Sequence, residues 1–264
     1  MKNNYGLKFE PIKPEDYILS GFTNVPKEVL QPDGQWSEFL PVAENQAKGA
    51  VEPSSCVSMT TDNCAEIILK KKYGGEYDLS DRFLAKISNT QNGNTPQAVA
   101  QAFKNSGNVK EEVWAFSPEI DSLEKYYSEI PQEVKDKAKK FLDEYDFLHE
   151  YCLTAPEALK EGLTMSPLGI GVPAWYLNEQ GLYYRPEGLQ DNHFTTLIGY
   201  VDGKYWIVFD SYENNIKHLD WNINSSVAKR FWIKKKDFYP EPETNWVKDL
   251  IISFSSFIRA IFGI

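Results

Sequence analysis

The sequence predicts an α+β fold of two lobes, helical in its first half and sheet-rich in its second. Three patterns carry this expectation. Val57, Thr60, Thr61, Cys64, Ile67 and Ile68 recur at helical spacing across 56–73, and Gly74-Gly75 stops the run. From Pro167 the apolar period falls to two, through Leu168, Ile170 and Val172 and then 193–201, 204–210 and 228–234. Asp202-Gly203 lies between two of those runs as a hairpin signal.

Each element follows from local chemistry. Residues 1–40 are rich in Pro, Gly and Asp (Pro11, Pro14, Pro26, Pro32, Asp33-Gly34), which predicts an extended arm lying over the body. After the 56–73 helix, Ser80 is placed to cap a second helix. Thr95-Pro96-Gln97 opens a third, ending near Gly107. The acidic stretch 119–151 reads as helical, with Val134, Ala138, Phe141, Leu142, Tyr145 and Leu148 on one face. Pro156 to Gly162 is a further short helix. Pairing across Asp202-Gly203 sets Tyr200 and Val201 against Lys204 and Tyr205, and brings His193 near 210–212. The chain divides into the arm (1–40), a body (41–240) and an amphipathic helix (245–264). Within the body, a helical lobe spans about 50–115 and a sheet lobe about 155–236.

Composition narrows the function. With 264 residues, 42% hydrophobic, the chain can bury a full core. The net charge of −10 argues against a nucleic-acid partner, because phosphate binding needs a basic patch. Lys70-Lys71-Lys72 and Lys234-Lys235-Lys236 read as solvated surface. Three cysteines (Cys56, Cys64, Cys152) are too few for a disulfide scaffold. Cys56 and Cys64 are eight apart with no His nearby, so neither a metal nor a cofactor is expected. His149 and His218 read as surface or structural histidines. The first residues hold no apolar signal core, so the expected location is cytoplasmic or in a phage particle.

The reactive groups are Cys56, His193 and Asp210. Cys56 falls in the first turn of a helix, where the dipole favours a thiolate. Pro53-Ser54-Ser55 leaves that turn open, so Cys56 is expected exposed and Cys64, among Ala65, Ile67 and Ile68, packed. His193 opens a strand after the turn at Asp191-Asn192, and Asp210 ends the next strand. A thiol, an imidazole and an orienting carboxylate make an activated nucleophile.

These motifs resemble the papain-like cysteine peptidases over 41–234, about three quarters of the chain. Pro41-Val42-Ala43-Glu44-Asn45-Gln46 resembles that family's Pro-Val-x-x-Gln segment, and Glu66 follows Cys56 at the family's spacing. Tyr77-Asp78-Leu79-Ser80 resembles the start of its next helix, and Gln91-Asn92-Gly93-Asn94 its Cys-Asn-Gly-Gly loop. Asn192-His193 with Gly199-Tyr200 resembles Asp-His-Ala-Val with Val-Gly-Tyr. The run from Tyr205 to Tyr212 resembles Tyr-Trp-Ile-Val-Lys-Asn-Ser-Trp.

The resemblance implies a papain-like fold, with a helical left lobe and an antiparallel sheet or barrel right lobe meeting at the active-site cleft. It implies peptide-bond hydrolysis through an acyl-thioester on Cys56, with His193 as acid and base and Asp210 orienting the ring. Gln46 and the Cys56 N–H would hold the oxyanion, and Tyr212 would shield the His193–Asp210 contact. Gly93, Asn94, Asn192 and Tyr212 would meet a peptide or protein substrate. Departures are Asp210 in place of Asn, Val57 in place of Trp, Asn94 in place of the second glycine, and a longer spacing from Gln46 to Cys56. No helical inhibitory propeptide is evident in the arm. Two rival readings stay open: a catalytically silent binding or structural module of a phage or host-interaction apparatus, and transglutaminase-like acyl transfer. The apolar face of 247–264 is expected to dock on the chain itself, or to bind a membrane surface or a protein partner.

Overall fold

In the computed structural model, which describes residues 5–13, 24–213 and 215–237, side-chain caps and glycine stops set several of the helix ends. Helix α1 (Cys56–Tyr73) ends at Gly74, whose φ of +69° suits a residue without Cβ. Helix α2 (Asp81–Ile87) begins where the Ser80 hydroxyl accepts the Phe83 N–H. Helix α3 (Pro96–Ser106) begins where Thr95 does the same for Ala98.

Beyond α3 the structure departs from the helical reading of 119–151. A short α4 (Leu123–Tyr126) precedes α5 (Gln132–Glu144), and the chain then becomes strand β1 (Tyr145–Cys152). Packing decides the change at Tyr145. Tyr145, Phe147 and Tyr151 are buried on one side of the strand, and Phe147 stacks on Phe103 at 4.2 Å between ring centroids. Helix α6 (Pro156–Met165) leads into β2 (Leu168–Val172), β3 (His193–Val201), β4 (Tyr205–Phe209), β5 (Ile216–Asp220) and β6 (Ala228–Lys235). These form one six-stranded sheet, ordered β1-β6-β2-β3-β4-β5, whose β2–β3, β2–β6, β3–β4 and β4–β5 pairs are antiparallel. Strand β5 was not foreseen from the sequence. The β3–β4 hairpin pairs Val201 with Tyr205 and Tyr200 with Trp206, one residue off the expected register, and shifts between Leu197 and Gly199.

Helix α1 is central because two apolar clusters close on it. Cys56, Val57, Cys64, Ile68 and Leu69 join α3, β1, Phe194 and Phe231 on one side. Ile67 reaches a second cluster of β2, β3, β4, α6 and Trp36. Trp36 is fully buried and its indole N–H donates to Leu163 O at 2.8 Å, so the segment expected as part of an overlying arm contributes to the core. The lysines of α1 are not free surface either. Lys71 Nζ donates to Gln31 Oε1 at 2.8 Å, Lys72 pairs with Glu28 at 2.7 Å, and Lys70 donates to Leu40 O at 3.0 Å. Together they tie 28–40 to the helix. One hydroxyl joins α1 to the sheet: Thr60 Oγ1 donates to Phe194 O at 2.9 Å. Among the described residues, no helix is long and apolar enough to cross a membrane. The amphipathic stretch 245–264 lies outside the described residues.

Candidate active site

The sheet wall of the site is built on the first residue of β3. Val172 pairs with His193, and the Asn192 N–H donates to Val172 O at 3.1 Å, which fixes the turn before the ring. Asp191 braces the same turn through Arg185 and the Ser226 N–H at 2.8 Å. At the end of β4, Asp210 Oδ1 lies 2.6 Å from His193 Nε2, and both side chains are fully buried. Tyr212 and Trp175 lie against the imidazole, with ring centroids 5.4 and 5.3 Å away. Because Nε2 is taken by Asp210, Nδ1 is the nitrogen left over, and it has no hydrogen-bond partner among the described residues.

Burial works against the Asp210 charge, but His193 and Lys217 outweigh it and hold the carboxyl below its ordinary range. Lys217 is the group that sequence reading missed. It sits on β5, 3% exposed at its side chain, with Nζ 2.8 Å from Asp210 Oδ2.

The helix wall presents Cys56 at the start of α1. Sequence reading made this thiol exposed and Cys64 packed; in the structure both are fully buried. Dehydration is the largest influence on Cys56 and pushes its thiol far up, against the helix dipole. The Phe194 N–H opposes that shift, while the Asp210 and Glu52 charges add to it. The sulfur therefore stands within electrostatic reach of the sheet wall, but as a thiol.

What dries the cleft is the chain itself. The Tyr5 N–H donates to Asn192 O at 3.0 Å, and the Tyr5 ring lies edge-on to His193 at 5.7 Å and to Tyr212 at 5.3 Å. Leu7 pairs in parallel with Asn94: the Asn94 N–H donates to Gly6 O at 2.8 Å, and the Lys8 N–H to Asn94 O at 2.8 Å. Two glycines make the crossing possible. A Cβ on Gly6 would fall 2.1 Å from Ser54 O, and one on Gly93 would fall 2.5 Å from Gly6 O. The arm thus runs through the cleft, where the sequence placed it over the body as an extended segment and not a helical propeptide.

Gln46 also reaches the site despite its longer spacing. Its N–H donates to Ser211 O at 2.7 Å, and its side-chain amide donates to Tyr212 Oη at 3.0 Å, Tyr5 O at 3.2 Å and Glu52 Oε1 at 2.5 Å. The loop after Gln46 accounts for this, since it folds back to deliver Glu52, which also accepts the Tyr212 hydroxyl at 2.8 Å. Cys56, His193, Asp210, Gln46 and Tyr212 therefore converge, while Gly93, Asn94 and Asn192 line the arm.

Behind α1, the Glu44, Asp81 and Glu111 carboxylates lie within 4.8 Å of one another. Lys48, 3.6 Å from Glu44, faces them, and burial raises all three above the ordinary carboxylate range. Elsewhere, both ring nitrogens of the half-buried His149 are buried with no hydrogen-bond partner among the described residues, and burial lowers its pKa.

No protein-family model and no curated protein matches this sequence. Solved structures do match. Digestive procathepsin L 3 of the Tenebrio molitor larval midgut aligns with a TM-score of 0.56 at 17% identity, covering 74% of this chain and 68% of that one. The ragweed cysteine protease Amb a 11, a pollen allergen solved in its proform, aligns with 0.53 at 17% identity, covering 79% and 66%. The fold is papain-like. The chain spans about two thirds of the length of each neighbour.

Proposed function

We propose that this chain is a cysteine-dependent peptide hydrolase in an arm-occupied resting state. The observation that carries the reading is the ring of His193: Asp210 holds Nε2 and Nδ1 is left without a partner, in the cleft where α1 begins with Cys56. Support for a peptide substrate comes from the arm. It is an extended main chain gripped through backbone groups of Asn94 and Asn192, which read no side chain.

In the working state the arm leaves, water returns to the cleft, and the Cys56 proton passes to Nδ1 of His193. The thiolate sulfur bonds to the substrate carbonyl carbon, and the carbonyl oxygen takes the negative charge beside the Cys56 N–H and the Gln46 amide. Each such donor is worth about 3 kcal/mol in other hydrolases. The carbon–nitrogen bond then breaks, and His193 gives its proton to the leaving amine. Water, deprotonated by His193, cleaves the thioester and releases a carboxylic acid. Asp210 keeps the ring oriented throughout, as a carboxylate does in other triads.

The test compares hydrolysis of a fluorogenic peptide library by the full chain, by a chain lacking residues 1–13, and by that shortened chain with Cys56→Ala. Hydrolysis by the shortened chain, at least tenfold above the full chain and abolished by Cys56→Ala, is the expected result. Absence of turnover from a folded shortened chain would leave the second reading, a silent binding module, which the buried and protonated Cys56 favours in the resting state.

A further inference from the structure

Asp210 stands where the resembling family has an amide, and an amide brings no charge to the imidazole. A lone buried carboxylate would stabilise the protonated ring and hold back the proton that His193 must give away. Here the carboxylate does not stand alone. Oδ1 meets His193 Nε2 at 2.6 Å and Oδ2 meets Lys217 Nζ at 2.8 Å, with all three side chains buried. Lys217 Nζ is itself fixed by Glu213 O at 2.8 Å and lies 5.1 Å from the Trp175 ring centroid. Strand β5 spends an inward position on it: Lys217 and Leu219 face in while Ile216 and His218 face out.

We infer that Lys217 is a positioning residue: with Asp210 it gives His193 a fixed acceptor of no net charge, which orients the ring without trapping its proton. This rests on the Cys56–His193 reading of the site. Against the ring lie Asp210 after β4 and Tyr212, Tyr5 and Trp175 from the connecting segments; Lys217 on β5 stands behind Asp210, and the Asp210 and Glu52 charges both act on Cys56 of α1. Lys217 is the positive group among them. Removing it exposes the ring to the full Asp210 charge, whereas removing the Asp210 charge exposes the ring to Lys217. The two changes act with opposite sign.

The experiment is an NMR titration of the His193 ring in the full chain, beside pH profiles of peptide hydrolysis. Lys217→Met is expected to move the midpoint up by about one pH unit or more, and Asp210→Asn to move it down. The double variant Asp210→Asn/Lys217→Met returns it to within a few tenths of the parent, and Lys217→Arg leaves it in place. In hydrolysis, Lys217→Met shifts the acid limb of kcat/KM in the same direction and costs about tenfold at neutral pH. A purely structural Lys217 would lower stability without this two-signed pattern. Equal or unmoved midpoints in folded single variants overturn the inference; where one variant does not fold, the other still decides the sign. If no variant hydrolyses peptides, the titration still reads the coupling, so loss of the hydrolase reading is seen separately. An active enzyme with unmoved midpoints refutes Lys217 alone.

Discussion

The two walls of the cleft are prepared to different degrees. On the sheet wall every polar atom that orients His193 has a partner: Asp210 holds the ring, Lys217 holds Asp210, and Glu213 O holds Lys217. On the helix wall Cys56 is dehydrated and its thiol is pushed up. Orientation is thus fixed by the fold, but ionisation depends on what fills the cleft. A dehydrated thiol on one wall and an oriented imidazole on the other are, on the hydrolase reading proposed above, a site at rest.

The largest expected effect breaks this difference by expelling the arm. Gly6 sits at φ +117°, and a side chain there would collide with Ser54 O, so Gly6→Val should empty the cleft. Iodoacetamide labelling of Cys56 near neutral pH is expected to rise at least tenfold, as the sulfur regains water and the imidazole. Cys64 and Cys152 serve as internal controls: both are buried, and burial pushes Cys152 up to about 12. Unchanged labelling with the protein folded would remove the arm as the cause of the dry thiol.

A smaller effect separates the walls by pH. On the helix side burial, with Glu44 next, raises Glu111 to about 7, above its unfolded value, so the folded state holds a proton there that the unfolded chain gives up. Its stabilising contribution is present below about 4.5 and is lost as pH rises through 7. Glu111→Gln should therefore flatten the fall in thermal stability between pH 5 and 8, a difference on the order of 2–3 kcal/mol. Asp210 has the opposite sign: its folded carboxyl is depressed, so its contribution is present above the unfolded pKa and is lost as pH falls through the folded one. Asp210→Asn should remove part of the acid-side loss. Unfolding monitored by circular dichroism against pH reads both.

The smallest effect lies at the seam. Thr60→Val deletes the hydroxyl that joins α1 to Phe194 O and leaves a buried carbonyl without that donor. A loss of about 1–2 kcal/mol in denaturant unfolding is expected. The His193 titration should not move, because the sheet wall is held by its own bonds.

Much of this was legible where the signal is local. The start of α1 at Cys56, the caps at Ser80 and Thr95, and the stops at Gly74 and Gly107 are each set by a few neighbouring residues. The hairpin at Asp202-Gly203 also predicted that His193 and Asp210 would meet; the pairing next to the turn is one residue off the expected register, and the irregularity at Leu197–Gly199 brings it back. Strand β1 was hidden because the apolar spacing of α5 continues through Tyr145 and Leu148, and only the aromatic partners Phe103 and Phe231 pull 145–152 into the sheet. Strand β5 was hidden by its reversed alternation, Ile outward and Lys inward. That reversal is itself a usable signal, since a lysine on the inward face needs a buried counter-charge. Tyr5, Glu52 and the burial of Cys56 depend on contacts between distant segments, which no local pattern encodes.

The bare crossing of Gly6 over Gly93 has a consequence for how such a protein changes over generations. On the proposed reading, latency rests on hydrogen atoms at two α-carbons, in residues other than those that carry the sulfur, the ring and its carboxylate. A single methyl at either place would loosen self-occlusion while leaving the reacting groups intact, so restraint and reactivity can be inherited as separate traits.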